Sequence, residues 1–382
     1  MPQRSKGPRL YWREGTDRES VWEIRDTENG RRIRQSTGTA IRSEAEVALE
    51  NYLTRKRRGS GPASPEEMTV AEVLTIYAEG HAVDVAAPER IGYAIDALDD
   101  FWRDLSVSDV TKATCKRYAA SRGKAASTVR RELGTLQAAI NHCAREGHLT
   151  QTRNVHLPEK GEATERWLTR REAAWLLRGA RALNKDGRHL QDFILHGLYT
   201  GSRKATILAM QIDTVSLIGG RVDTVNGVLY RKPPAKTATK KRQGASRIPP
   251  RYLAHLRRQA ANGRKFVVER TITRKVKGEI VEERAMVAEI RKGWARAVEL
   301  AEELARDAGI SIDLTMMAPQ GRKPITPHVL KHTAITWALQ KGASIWDAAG
   351  YFDTSPETIQ NTYGHHHPDF QESAVEAINR RG

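Results

Sequence analysis

Residues 359–369 read IQNTYGHHHPD. One tyrosine, Tyr363, stands directly before Gly364 and the three histidines His365, His366 and His367. Such a stretch can be a metal site, a nucleophile with helpers, or the polar end of a helix. Just upstream, Ser355 and Pro356 supply an N-cap and a first helical residue, which puts Tyr363 near the end of a short helix. Adjacent residues at a helix end diverge, whereas zinc sites favour spacings such as HxxxH, so the histidine run does not read as a metal site. Of the three, His365 lies closest to the turn after Tyr363. A tyrosine is a poor nucleophile at its ordinary pKa of about 10 and needs positive charge beside it.

The chain supplies charge in excess. Its 63 Lys and Arg against 46 Asp and Glu leave a net charge of +17, which calls for a polyanionic partner, either nucleic acid or a membrane surface. No apolar run approaches the roughly 18 residues of a spanning helix. The basic start MPQRSKGPRLYW is followed by no apolar segment of the signal-peptide kind. Cys115 and Cys143 form neither CxxC nor a zinc spacing, so ordinary thiols in a reduced cytoplasm are expected. Nucleic acid is the expected partner, and no membrane. A length of 382 residues allows two or three domains.

Three zones follow one another, without internal repeats. Residues 1–60 read as a β-rich unit: YWREGTDRESVWEIRD alternates apolar positions, TENG is a turn, RRIRQSTG is another strand. SEAEVALENYLTRKRR closes it as a helix, with Ser43 as N-cap and Glu46 at the third position. RRGSGPASP is a linker. From residue 64 to about 157 the pattern is helical. Ser64 and Pro65 can open a helix whose Val70, Val73, Leu74 and Tyr77 share one face. Ser127 can cap a second helix, with Val129, Leu133, Leu136 and Ile140 as its apolar stripe and Arg130 and Arg131 off it, exposed near the start.

From about 164 to 382 helices alternate with short strands. Thr169 and Glu172 form a capping box. LQDFILHGLYTGSRKATILAM is two helical runs broken at Thr200-Gly201, and Arg203 follows that turn. RVDTVNGVLYRKPP and ASRIPP read as strands. Between Tyr230 and Lys275 lie 15 Lys or Arg and a single acid, Glu269, a distribution suited to a phosphate backbone. In TPHVLKHTAITWALQKG, Thr326 and Pro327 open a helix with His328 and Lys331 on its first turn and His332 four after His328. Side chains of that kind at a helix N-terminus make an anion site.

TG-x-R, a basic hairpin, H-x-x-[RK]-H and a C-terminal tyrosine, in that order, resemble the tyrosine recombinases, the phage-integrase-type site-specific recombinases, over the whole chain. TKKRQGASRIPPRYLAHL and AAGYFDTSPETIQNTYGHHHPD are especially similar to integrases of bacterial mobile elements. The resemblance implies a multidomain chain, mainly α with small β-sheets. It would have a β-rich arm-type DNA-binding domain at 1–60, a helical core-binding (SAM-like) domain at 64–157 and a mixed α+β catalytic domain at 164–382. It further implies an enzyme that cleaves and rejoins DNA through a 3′-phosphotyrosyl intermediate, integrating or excising a phage or other mobile element in a bacterial cytoplasm, on the nucleoid when bound.

Carried over by position, Tyr363 is the nucleophile, and Arg203 and Lys331 bind the non-bridging oxygens. His328 assists proton transfer, and a hairpin lysine protonates the leaving 5′-oxygen. Spacing back from Ile248-Pro249 favours Lys241, with Lys240 as alternative and Lys236 weaker. Arg130, Arg131, Lys236, Lys240, Arg242 and Arg247 are expected DNA contacts. No metal, nucleotide or other cofactor is implied. The expected partners are double-stranded DNA at attachment-type sites, three further copies in a homotetramer, and accessory DNA-bending or directionality proteins.

Three positions depart from the family pattern. Lys331 replaces an arginine and loses its bidentate fork. Thr206 stands where an acid often follows Arg203 by three, and Thr354 where a His or Trp usually precedes the tyrosine by nine. His332 is positioned to compensate. Two other functions share many of these features. One is a catalytically decayed relative acting as a DNA-binding regulator, since residues 342–366 also scan like a helix-turn-helix. The other is a type IB topoisomerase-like enzyme.

Overall fold

A computed structural model describes residues 7–14, 20–28, 31–58, 61–85, 87–161, 166–183, 188–217, 219–233, 244–276, 279–318, 321–367, 371, 375 and 378–379. The chain is mainly helical with small sheets and forms two compact units, Met1–Gly161 and Glu162–Gly382.

The first unit begins with β1 (Arg9–Arg13), β2 (Val21–Glu28) and β3 (Arg31–Ser36), an antiparallel sheet in that order. Period-two alternation places Ile24 in the core, while Trp12 meets Trp22 edge-on across the strand pair at 5.3 Å. Helix α1 (Arg42–Arg58) packs on the sheet, and its Tyr52 hydroxyl donates to buried Asp26 at 2.8 Å. Ser43 is not the cap, because the helix has already begun at Arg42. Ile41 directly precedes it, its carbonyl accepting the Ala45 N–H at 3.1 Å and its own N–H donating to Thr39 Oγ1 at 3.0 Å.

Helices α2 (Val70–Gly80), α3 (Pro88–Trp102), α4 (Lys112–Arg122) and α5 (Ala126–Arg145) follow. The expected stripes are buried: Val70, Val73, Leu74 and Tyr77 on α2, and Val129, Leu133, Leu136 and Ile140 on α5. Ser64-Pro65 makes a turn rather than opening α2. Thr69 and Glu72 form a full capping box five residues later, which fixes the start there. Ser127 likewise falls inside α5, which starts at Ala126. Arg131 is exposed as expected. Arg130 is only half-exposed, because its guanidinium donates to the Pro158 carbonyl.

The second unit opens with α6 (Arg170–Ala182) behind the expected Thr169–Glu172 capping box, then α7 (Arg188–Thr200) and α8 (Lys204–Leu208). Strands β4 (Gln211–Ile212), β5 (Arg221–Asp223), β6 (Val228–Tyr230) and β7 (Ala245–Arg247) form one sheet in sequence order, with only the β4–β5 pair parallel. After α9 (Pro250–Ala261) come the hairpin β8 (Glu269–Val276) and β9 (Glu279–Met286), helix α10 (Arg291–Asp307), and the hairpin β10 (Thr315–Ala318) and β11 (Gly321–Pro324). Helices α6 and α10 approach closely at Gly179, where any Cβ would lie 2.2 Å from the Ala297 carbonyl oxygen. Leu176, Phe193, Tyr252, Trp294 and Val298 fill the core between these helices and the sheet.

Three α-helices follow, α11 (Val329–Leu339), α12 (Ile345–Phe352) and α13 (Pro356–Tyr363), and a 3-10 turn at Gly364–His366 comes directly after them. Ser355 and Pro356 cap and open α13 as their types predict, with the Ser355 hydroxyl accepting the Thr358 N–H at 3.2 Å. Helix α11 starts later than Thr326-Pro327 implies. Those residues form a turn, and His328 occupies the cap without a side-chain cap bond.

Candidate functional site

The site is built on the turn between α12 and α13. Asp353 ends α12 in the left-handed region, at φ 54, and is buried. That reversal is uncommon for a residue with a Cβ, though aspartate tolerates it better than most. One Asp353 carboxylate oxygen accepts the Gly244 N–H at 3.1 Å. The other makes no hydrogen bond among the described residues and faces Arg203 Nη1 at 3.7 Å. Family likeness leads one to expect an acid at Thr206, in α8, and the carboxylate beside Arg203 comes instead from Asp353.

Lys331 approaches the same turn from α11. It is buried, and its Nζ donates to the Phe352 carbonyl at 2.9 Å. Burial foremost, then the charges of Arg203 and Arg231, lowers its pKa to about 8, with Asp353 pulling the other way. Arg203 reaches the turn because Gly201 takes φ 58 and packs against Phe352. A Cβ on Gly201 would lie 2.5 Å from the Phe352 ring.

Arg231, just past β6, ties these pieces together. It is 4% exposed. Its Nη2 donates to the carbonyls of Thr200 and Tyr351, Nη1 to Ser246 Oγ and Nε to Ser202 Oγ. One guanidinium therefore fixes the turn carrying Arg203, strand β7 and the end of α12. The sequence singled it out only as one of 15 basic residues in its stretch; the signal for a buried role was its place directly after a strand.

Tyr363 closes α13 and is 7% exposed, and burial pushes its pKa up to about 12. Its hydroxyl lies 2.7 Å from Nδ1 of His332, the residue after Lys331. Burial first, then His328 and Lys331, lowers the His332 pKa to about 4. His328 sits at the exposed rim, its ring edge-on to His332 at 4.7 Å, and burial with the Lys331 and Arg203 charges lowers its pKa too.

The structure thus gathers Arg203, Lys331, His328 and Tyr363, and adds His332, Asp353 and Arg231. Thr354 is half-buried, and its N–H closes α12 by donating to the Ala349 carbonyl at 3.1 Å. Arg247 is exposed on β7, opposite Val228. Lys236, Lys240, Lys241 and Arg242 lie outside the described residues. His365 is exposed with its ring on His366, and His366 packs edge-on against Trp167 at 5.8 Å. Among the described residues no group of three or more His, Cys, Asp or Glu could hold a metal ion, and no helix is long and apolar enough to cross a membrane.

The architecture is that of the tyrosine recombinases, to which the solved structures of similar fold belong. The chain is similar to the integrase of transposon Tn1549 in complex with a circular intermediate DNA. The TM-score is 0.58 at 16% identity, over 81% of this chain and 99% of that one. It is also similar to a lambda integrase dimer bound to a COC′ core site, with TM-score 0.50 and 16% identity over 94% and 96% of the two chains. A lambda integrase tetramer bound to a Holliday junction gives 0.50 and 16% over 91% and 95%. No family model and no curated protein sequence matches the chain.

Proposed function

We propose that the protein is a site-specific DNA recombinase of the integrase type, which breaks and rejoins strands of a mobile element through a 3′-phosphotyrosyl intermediate. The observation that carries this is a single run of contacts. Arg203 faces Asp353, Lys331 holds the neighbouring Phe352 carbonyl, and His332, next to Lys331, touches the Tyr363 hydroxyl. Two cations and a phenol with a hydrogen-bonded imidazole form the set that an in-line displacement at a phosphodiester needs.

In that displacement Tyr363 Oη bonds to phosphorus, the bond to the 5′-oxygen breaks, and Arg203 and Lys331 stabilise the charge growing on the non-bridging oxygens. A hairpin lysine, Lys241, Lys240 or Lys236, protonates the 5′-oxygen. The phosphotyrosyl bond keeps the energy for rejoining, so no cofactor enters. The division into an arm-binding domain at 1–60, a core-binding domain at 64–157 and a catalytic domain at 164–382 belongs to the same proposal. So do the DNA contacts of Arg130, Arg131, Lys236, Lys240, Arg242 and Arg247, attachment-type duplex sites, a homotetramer, and accessory proteins. Arg130 would have to leave the Pro158 carbonyl to reach a phosphate.

Nicked duplexes from the flanks of the element encoding the chain test the function. A covalent protein–DNA band on a denaturing gel is expected. Binding without such a band marks a DNA-binding regulator instead, and relaxation of plasmids without site preference marks a topoisomerase.

A further inference from the structure

We infer that His332 takes the proton from Tyr363 as the strand is cleaved. This rests on the proposed cleavage reaction and adds a residue to it. A buried phenol with a pKa near 12 is protonated at any physiological pH and cannot attack phosphorus until its proton leaves. The group beside that proton is His332 Nδ1, at 2.7 Å. His328, placed one helical turn earlier, touches His332 ring to ring at 4.7 Å.

His332 is also in the right state. Burial, His328 and Lys331 disfavour its cation, so the ring is neutral at neutral pH. To take the proton it must carry its own hydrogen on Nε2 and offer the Nδ1 lone pair to the hydroxyl 2.7 Å away. Its two neighbours also set the return. An imidazolium between His328 and Lys331 is held at high energy and gives the proton back readily.

The step balances. The Tyr363 O–H bond breaks and its proton goes to His332 Nδ1. The phenolate oxygen bonds to phosphorus, the P–O5′ bond breaks, and the leaving oxygen takes a proton from a hairpin lysine. On rejoining the 5′-hydroxyl returns that proton to the lysine, and the His332 imidazolium reprotonates the departing phenolate. His332 is thus a catalytic residue, since it touches the attacking oxygen, and His328 assists from behind it.

The test is single-turnover cleavage of the nicked duplex between pH 5.5 and 7.5, below the pKa of Lys331, for wild type, His332→Asn and His332→Ala. The groups around the pair are His328, Lys331 and Arg203, unchanged in all three proteins. Wild type should give a level rate, because its base is already free. His332→Asn, which keeps a hydrogen-bonding group near the hydroxyl, should cleave roughly 100-fold more slowly or worse at pH 7. Its rate should rise about tenfold per pH unit, because hydroxide must now ionise the tyrosine. Added imidazole should speed cleavage by His332→Ala.

Equal, level rates for wild type and His332→Asn overturn the inference and leave the recombinase function standing. So does a slow but level profile without imidazole rescue, which marks a positioning role. Absence of any adduct from wild type that binds the duplex overturns the cleavage reaction and the inference with it. Nitrogen-15 spectra of the histidines supply a check without DNA: one ring protonated on Nε2 with a hydrogen-bonded Nδ1 should lose that bond in Tyr363→Phe. An unchanged histidine spectrum contradicts the contact on which the inference stands.

Discussion

Lys331 Nζ donates to the carbonyl oxygen of Phe352 at 2.9 Å, which fixes the cation of α11 on the turn that ends α12. A lysine here serves as a charge only while protonated, and burial with Arg203 and Arg231 brings its pKa to about 8. An arginine would keep its charge. The second-order cleavage rate at low DNA concentration reports the free enzyme, and it should fall about tenfold between pH 8 and pH 9 to 9.5. Lys331→Arg should remove that fall. The sign for stability is opposite. A lysine whose folded pKa lies below its unfolded value of about 10.4 binds fewer protons when folded, so the second unit should melt higher as pH rises from 8 towards 10. A fall in melting temperature over that range contradicts the assignment.

Arg231 should matter more for the shape of the site than its distance from Tyr363 in sequence implies. Arg231→Met removes donors from the carbonyls of Thr200 and Tyr351 and from Ser202 and Ser246. A buried carbonyl left without a donor costs about 1–3 kcal/mol. Chemical unfolding of the second unit should shift by at least that much. Arg231→Lys, with fewer and differently placed donors, should recover only part. A shift within experimental error would contradict the tie between the three segments.

Gly201→Ala should be damaging although it adds one methyl group. The residue takes φ 58, and the new Cβ would sit 2.5 Å from the Phe352 ring. The left-handed backbone alone costs an alanine on the order of 1 kcal/mol. Displacing Phe352 also moves the carbonyl that Lys331 holds. Slower cleavage should therefore accompany the lower stability, and Phe352→Leu in the same chain should restore part of both. Restoration of neither would contradict the Gly201–Phe352 packing.

In the first unit, Glu132 accepts from Tyr118 at 2.7 Å and pairs with Arg122 at 2.8 Å. Burial raises its pKa, but the hydrogen bonds and charge of Arg122 and Tyr118 outweigh that and leave it lowered. Its stabilisation is therefore present above the unfolded value of about 4.3 and lost as pH falls through the lower folded value. Arg122→Met should destabilise this unit by about 3 kcal/mol, since it strands a buried carboxylate. It should also lessen the loss of stability below pH 4. An unchanged acid-unfolding curve would contradict the pairing.

Local signals were legible and distant ones were not. Ser355-Pro356, the Thr169–Glu172 box and the apolar stripes of α2 and α5 are visible because each depends on residues within two turns of one another. The misplaced starts have the same root: Thr69-x-x-Glu72 and Ser64-Pro65 compete, and the reciprocal box wins because it satisfies two backbone donors. Arg203, His328, Lys331 and Tyr363 were singled out by their order in the chain. The left-handed turn at Asp353, the buried fork of Arg231 and the touch of His332 on Tyr363 arise only when α11, α12, α13 and the sheet meet. For His332, the hints were its four-residue spacing from His328 and its place directly after Lys331.

Tyr363 is the residue on which the proposed reaction places the DNA. Trapped protein should be digested and the peptide bearing the nucleotide remnant identified by mass spectrometry. A phosphodiester-linked remnant is expected on Tyr363, and no adduct from a Tyr363→Phe protein that still shifts the duplex on a native gel. A remnant on any other residue, or an adduct that survives Tyr363→Phe, would contradict it.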